Sequence, residues 1–137
     1  MNEKNFQTFF TKWIKDHPQE TSVFELKICK LKSIPFDAVK KHQAEALHTA
    51  KYGFLYHKIN DMPIFAGSKT RFTNPKPFDC FSISAANAYV VIWFYKPRKK
   101  KEMIWIDIDE WLYEASTSDR KSLTEERAKE IGKTLDF

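Results

Sequence analysis

Glu25 and Lys27 are residue types that hydrolysis of a phosphodiester requires, and they stand two positions apart in the alternating segment 22–29. The alternation predicts a strand with Leu26 pointing into the core. Period-two geometry then puts the Glu25 carboxylate and the Lys27 ammonium on the opposite face, roughly 6 to 7 Å apart. A carboxylate is an oxygen ligand for Mg²⁺, and a neighbouring cation can orient water or stabilise charge on the reacting phosphate. An exposed ion pair on a surface strand is the alternative interpretation.

Other acidic and amide side chains could complete such a site. Asp79 stands at the start of another apolar run and is flanked by phenylalanines, so we interpret it as a second metal ligand, or else as the close of a turn. Gln43 lies on the inward stripe of a predicted helix, from which its amide could reach Lys27 or a bound water, or be satisfied by backbone. Asp107 and Asp109 are in phase at a strand end and are further candidate ligands, or else a turn and a helix start.

Several short motifs resemble those of RecU-type Holliday-junction resolvases, within the PD-(D/E)XK nuclease superfamily. They are Phe24-Glu25-x-Lys27, Ser33-Ile34-Pro35-Phe36, His42-Gln43 and Arg120-Lys121-Ser122-Leu123. The resemblance is close over residues 23–47 and loose over 89–123. It implies a restriction-endonuclease-like fold and a Mg²⁺-dependent endonuclease, with Mn²⁺ able to substitute. It also implies metal ligation by Glu25, a catalytic Lys27, a supporting Gln43, and a homodimer that cuts a four-way DNA junction.

The order of the motifs departs from that superfamily. Its Pro-Asp hairpin normally precedes the Glu-x-Lys strand, whereas here the sole Pro-x-Asp strand start, ending at Asp79, follows the helix that bears Gln43. We interpret this as a hairpin that has moved along the chain, giving a permuted strand order. The interpretation predicts that strand 78–83 lies beside strand 22–29, so that Asp79 and Glu25 bind one metal ion.

Two basic segments are predicted to contact DNA. The connection 60–76 is unusually long for so small a domain, and by the same resemblance it corresponds to a projecting stalk. Its cations and aromatic rings suit backbone phosphates and unstacked bases at a branch point. The turn 96–101 is cationic, although most such runs are simply solvated. The predicted contacts are Phe65, Lys69, Arg71, Phe72 and Lys76 in the loop, and Arg98, Lys99 and Lys100 in the turn.

Hydrophobic periodicity predicts the elements that position these residues. Helices are expected over 3–16, from Pro35 to about residue 50, over 109–114, and in a C-terminal tail over 119–137. In this tail, Ser122 to Glu125 has the spacing of a capping box before a helix that ends near Gly132. Strands are expected over 22–29, 52–59, 78–83, 89–95 and 103–108. The prediction is one α/β domain over 1–137 with a central mixed sheet between helices.

Composition restricts the function further. The net charge of +5 and a pI of about 9.1 suit a polyanionic partner. Three glycines cannot form a phosphate-binding loop or a dinucleotide fingerprint, and the two cysteines and four histidines lack zinc-site spacing. The two cysteines, far apart in the sequence, suggest no disulfide framework and favour a reducing cytoplasm. No apolar run approaches about 18 residues, so we expect no membrane span. Another nuclease of the same superfamily, or a non-catalytic DNA-binding protein, remains an alternative.

Overall fold

The computed structural model describes residues 1–60 and 76–137. The helices in these ranges are α1 (Glu3–Asp16), α2 (Lys41–Tyr52), α3 (Ile108–Thr117) and α4 (Glu125–Ile131), with a 3-10 turn at Phe36–Ala38. The strands are β1 (Ser22–Cys29), β2 (Ser33–Pro35), β3 (Phe54–Lys58), β4 (Cys80–Ser84), β5 (Asn87–Phe94), β6 (Glu102–Asp107), β7 (Ser122–Thr124) and β8 (Lys133–Asp136).

The main sheet has four strands in the order β1-β5-β6-β8. β1 runs parallel to β5, whereas β5 and β8 are antiparallel to β6, so the sheet is mixed. β5 takes a central position because residues 90–94 are all buried, which only a strand covered on both faces allows. The predicted α/β architecture with a mixed central sheet and flanking helices is confirmed.

Helix α1 covers one face of the sheet, and α2, α3 and α4 cover the other. Asn2 and Asn5 form a reciprocal capping box at the start of α1, with both side chain to backbone distances 3.0 Å. The apolar stripe of α1 then buries Phe6 and Phe10 against Trp93 and neighbouring aromatic residues. A fully buried side chain of this kind stabilises the fold by roughly 1.5–3 kcal/mol, so this stripe fixes the position of α1 on the sheet.

Strands β3 and β4 pair with each other and stand outside the main sheet as an antiparallel ribbon. Phe54 and Tyr56 share one face of β3 and are 62% and 60% exposed. After the ribbon, the chain contacts helix α2 again at Ala86, whose N–H donates to the Ala50 carbonyl near the end of that helix. Two strands that leave aromatic side chains in solvent form a surface available for contact.

The C-terminal segment differs from the predicted helical tail. Ser122–Thr124 forms β7, which pairs with β2, and Thr124 rather than Ser122 caps α4. The helix ends at Ile131, near the predicted end, and at the following Gly132 a Cβ would lie 2.8 Å from Ile104 Cγ2 and from the Trp105 carbonyl oxygen. This close approach lets the chain continue as β8 along β6. Capping-box spacing located a helix here but not the strands on either side of it.

The segment that begins at Pro35 also differs from its prediction. Pro35 ends β2 and precedes a 3-10 turn, and helix α2 begins only at Lys41. Pairing of β2 with β7 holds Pro35 in an extended conformation, so it cannot occupy the first turn of a helix.

Candidate active site

Glu25 and Lys27 lie on β1, which forms an edge of the main sheet as far as the described strands show. The alternate residues of β1 pack against the core beneath α1, so these two side chains point to the opposite face. Lys27 Nζ lies 3.3 Å from Glu25 Oε1, and the Lys27 side chain is only 10% exposed. An ammonium taken this far from water requires a carboxylate beside it, so the pair is not a simple surface ion pair.

Gln43 on α2 holds the Glu25 carboxylate. Its Nε2 donates to Glu25 Oε1 at 2.9 Å, while its Oε1 accepts the backbone N–H of Lys40 at 2.9 Å. The second contact fixes the orientation of the amide, because its oxygen is committed to the start of α2 and its NH₂ must face the strand. Gln43 therefore contacts Glu25 and a backbone N–H, whereas the sequence had pointed to Lys27 or a bound water, with backbone as the alternative partner.

Glu3 is the residue of this cluster that sequence reasoning missed. It lies in the first turn of α1, with its Oε1 3.9 Å from Lys27 Nζ and its side chain 48% exposed. α1 covers the face of the sheet opposite to Glu25, so the two acids approach Lys27 from different sides of the edge strand β1. No spacing between Glu3 and the Glu-x-Lys motif signals this contact, since it depends on how α1 packs.

The donor set of this cluster suits Mg²⁺ better than zinc. Within residues 1–60 and 76–137, no three His, Cys, Asp or Glu side chains group closely enough to hold a metal ion. Structural and catalytic zinc sites need three or four such ligands. Mg²⁺ keeps several waters and is commonly bound by one or two carboxylates together with substrate phosphates. Glu25 and Glu3 are the two carboxylates that could hold it here.

The structure does not place Asp79 beside Glu25. β4 pairs with β3 in the ribbon and β1 pairs with β5, so the predicted neighbouring strands are not neighbours. The Asp79 carboxylate is instead 86% exposed and lies 2.9 Å from Lys76 Nζ. The prediction was wrong because β4, with polar side chains and no buried residue, cannot replace the apolar β5 in the middle of a sheet.

The predicted DNA contacts are only partly visible. Those that lie outside the described residues are Phe65, Lys69, Arg71 and Phe72. In the basic turn, Arg98 adopts a left-handed conformation with φ of 60°. Lys99 and Lys100 line a cleft of about 320 Å³ together with Glu125, and Lys100 pairs with Asp136 at 2.7 Å. Acidic groups of α4 and β8 thus offset part of the charge of this turn.

Asp107 and Asp109 belong to a separate ion-pair network. Lys51 Nζ lies 2.9 Å from Asp107 and 2.5 Å from Asp109, and the Tyr52 hydroxyl donates to Asp109. Hydrogen bonds from Lys51 and then Tyr52 hold the pKa of Asp109 below its ordinary value. Asp107 also accepts the Asp109 N–H and so caps α3. The network ties the end of α2 to α3, which explains both acids without a metal.

Comparison with protein-family models, with curated proteins and with solved structures gives no match. None of the described helices is long and apolar enough to cross a membrane.

Proposed function

We propose that the chain is a metal-dependent endonuclease that hydrolyses the phosphodiester backbone of DNA. The observation that carries the proposal is the continuous set of contacts from Gln43 through Glu25 to Lys27 and on to Glu3. A largely buried lysine between two carboxylates, with one carboxylate held by an oriented amide, has the groups that such hydrolysis needs. The resemblance of the flanking motifs to junction resolvases supports the same chemistry.

Each residue has a distinct role in this proposal. Glu25 and Glu3 would hold a Mg²⁺ ion, which when bound lowers the pKa of a coordinated water and polarises a phosphate oxygen. Lys27 places a positive charge next to the phosphate and so stabilises the charge that develops there. Gln43 is a positioning residue, because it orients Glu25 and does not itself reach the reacting atoms.

A cleavage assay with matched carboxylate variants tests the proposal. We expect Glu25→Gln to slow cleavage in Mg²⁺ by on the order of a hundredfold or more, the range for losing one group that stabilises transition-state charge. Glu3→Gln should raise the Mg²⁺ concentration needed for half-maximal rate. Glu45→Gln is the control, because Glu45 lies on α2 at the surface and pairs only with Lys41 among the described residues. Cleavage that survives chelation of all divalent ions would contradict the proposal.

The finer assignment is a resolvase of four-way junctions. The motifs that resemble RecU-type enzymes support it, as does the ribbon with Phe54 and Tyr56 in solvent, since exposed rings can stack on the unpaired bases of a branch point. Symmetric cutting of two strands requires two sites, which is the reason to propose a homodimer. Cleavage of a synthetic four-way junction, a linear duplex and a single strand should be compared in Mg²⁺. Equal cleavage rates on all three substrates would contradict junction specificity and indicate a general nuclease.

A further inference from the structure

The outer face of α1 is a basic surface that the site does not use. Lys4 and Lys15 stand eleven residues apart, which is three helical turns to within about 20° and roughly 16 Å along the axis. Lys12, Thr8 and Thr11 fall between them on the same side, over a shallow groove of about 420 Å³. The acidic residues of α1 occur only near its ends, so no carboxylate of the helix interrupts this face.

The three lysines of this face have no acidic partner among the residues the structure describes. Lys4, Lys12 and Lys15 form no ion pair there, whereas Lys96 and Lys100 of the basic turn are both paired with carboxylates. Unpaired cations are the ones that can neutralise phosphates without first losing an existing contact. Of the three turn cations predicted to contact DNA, Lys100 is paired, whereas Arg98 and Lys99 form no ion pair in the described part of the chain. α1 therefore offers three unpaired cations on one face, against two in the turn.

This basic face leads directly to the candidate site. Lys4 follows Glu3, whose carboxylate lies beside Lys27, and Lys15 is at the far end of the helix. A DNA strand that follows α1 would thus meet lysines and hydroxyls along about 16 Å and reach Glu3, whose carboxylate lies 3.9 Å from Lys27. Glu3 of the candidate site belongs to the same helix as this surface, so the helix sets the position of the surface relative to Glu3.

We propose that the outer face of α1 binds the phosphate backbone of the DNA that enters the site, a proposal that rests on the proposed nuclease function. The occupant is nucleic acid and not a membrane surface, although an amphipathic basic helix can bind either. The apolar stripe of α1 is occupied, since Phe6 is fully buried and Phe10 is 6% exposed. A helix whose apolar side is packed in a core cannot insert that side into lipid.

Two triple variants with the same loss of charge test the surface. K4Q/K12Q/K15Q removes the lysines of α1, and R98Q/K99Q/K100Q removes the cations of the basic turn; glutamine keeps helix propensity close to that of lysine. Binding to a labelled DNA duplex is titrated at several salt concentrations with a chelator present. The α1 variant should bind at least tenfold more weakly, and the slope of log affinity against log salt should become shallower by about 2 to 3, near 0.9 per lost phosphate contact.

The turn variant should lose less affinity and change the slope less than the α1 variant. Equal losses in the two variants would overturn the proposal, because net charge alone would then explain the binding. Unchanged duplex binding by the α1 variant would also overturn the proposal. This includes a result in which the variant binds anionic vesicles more weakly but binds the duplex as before. K4R/K12R/K15R keeps the charge and should bind normally; a comparable loss in this variant would also overturn the proposal, since damage to α1 rather than loss of charge would explain it.

The same measurements separate this surface from the nuclease function. Binding is titrated without metal, so it does not depend on cleavage. If the wild-type protein does not cut DNA but the α1 variant still binds DNA more weakly, the proposed surface stands and the nuclease proposal is contradicted. If the wild-type protein cuts DNA but the α1 variant binds DNA normally, the nuclease proposal stands and the proposed surface is contradicted.

Discussion

Replacing Gln43 with Met should raise the Mg²⁺ requirement of cleavage more than it lowers the maximal rate. The substitution keeps an unbranched side chain of similar length but removes both hydrogen bonds of the amide, to Glu25 and to the Lys40 N–H. Glu25 then loses the contact that orients it, while Lys27 still lies beside it at 3.3 Å. A mispositioned ligand binds its metal more weakly, and excess metal can restore occupancy.

The size of the effect follows from the contact that is lost. A hydrogen bond to a charged group contributes roughly 1.5–3 kcal/mol. The Glu25 side chain is 27% exposed, so water replaces part of the contact and the lower end of that range applies. About 1.4 kcal/mol corresponds to a factor of ten, which predicts about a tenfold higher Mg²⁺ concentration for half-maximal rate. Loss of the bond to the Lys40 N–H should lower the free energy of unfolding by up to about 1 kcal/mol.

The assay measures initial cleavage rates on a junction substrate across a range of Mg²⁺ concentrations, at a temperature where thermal unfolding shows the variant to be folded. Gln19→Met is the matched control, because the Gln19 amide contacts only the nearby His17 carbonyl in the described part of the chain. If Gln43→Met matched the wild type in both maximal rate and Mg²⁺ dependence, Gln43 would be a helix cap alone and its positioning role would be refuted.

Other predictions concern Asp79, the Lys51 network and Gly132. Asp79→Asn should leave cleavage close to wild type, because its exposed carboxylate pairs with Lys76 away from β1; a rate loss as large as that of the Glu25 variant would restore the moved-hairpin interpretation. Lys51 lowers the pKa of Asp109 from its ordinary 3.8, so this acid contributes stability above about pH 4 that is lost as the pH falls through the lower folded value. Urea unfolding between pH 6 and 2 should accordingly show a shallower loss of stability in Lys51→Met, and equal slopes would count against the network. Gly132→Ala should lower the free energy of unfolding by about 1–3 kcal/mol, since its Cβ would lie within 2.9 Å of the side chains and backbone of β6; an unchanged melting temperature would show that β8 moves aside freely.

Local patterns predicted the elements that carry their own periodicity. Helix α1 matches the range 3–16, and β1 matches 22–29 with its Glu-x-Lys pair on the face that the alternation indicated. Both segments bury one side, so the period of their apolar residues reports the element and its inward face together. Gln43 was found in the same way, because an amide on the inward stripe of a helix must have a partner.

Long-range pairing was not predictable from the same patterns. The sequence indicates a strand at both β4 and β5, but β4 alternates with serine and has no buried residue, whereas β5 is buried on both faces and lies beside β1. The segment Lys133–Asp136 forms a strand because Gly132 allows close approach to β6, and no alternating apolar pattern within these four residues indicates that strand. In each case the partner strand, and not the segment itself, determines the structure.

The contact of Glu3 with Lys27 was also not predictable from local sequence patterns. Periodicity reports that Phe6 and Phe10 face inward, but not which end of α1 lies over which end of β1. That position is set in the core, where Phe10 contacts Phe24 with ring centroids 5.0 Å apart and Phe6 contacts Trp93 at 5.6 Å. Packing of the aromatic residues beneath α1 therefore places the Glu3 carboxylate 3.9 Å from Lys27. The contact of Glu3 with Lys27 is a product of tertiary packing, which is why a search for spaced acids in the sequence selected Asp79 instead.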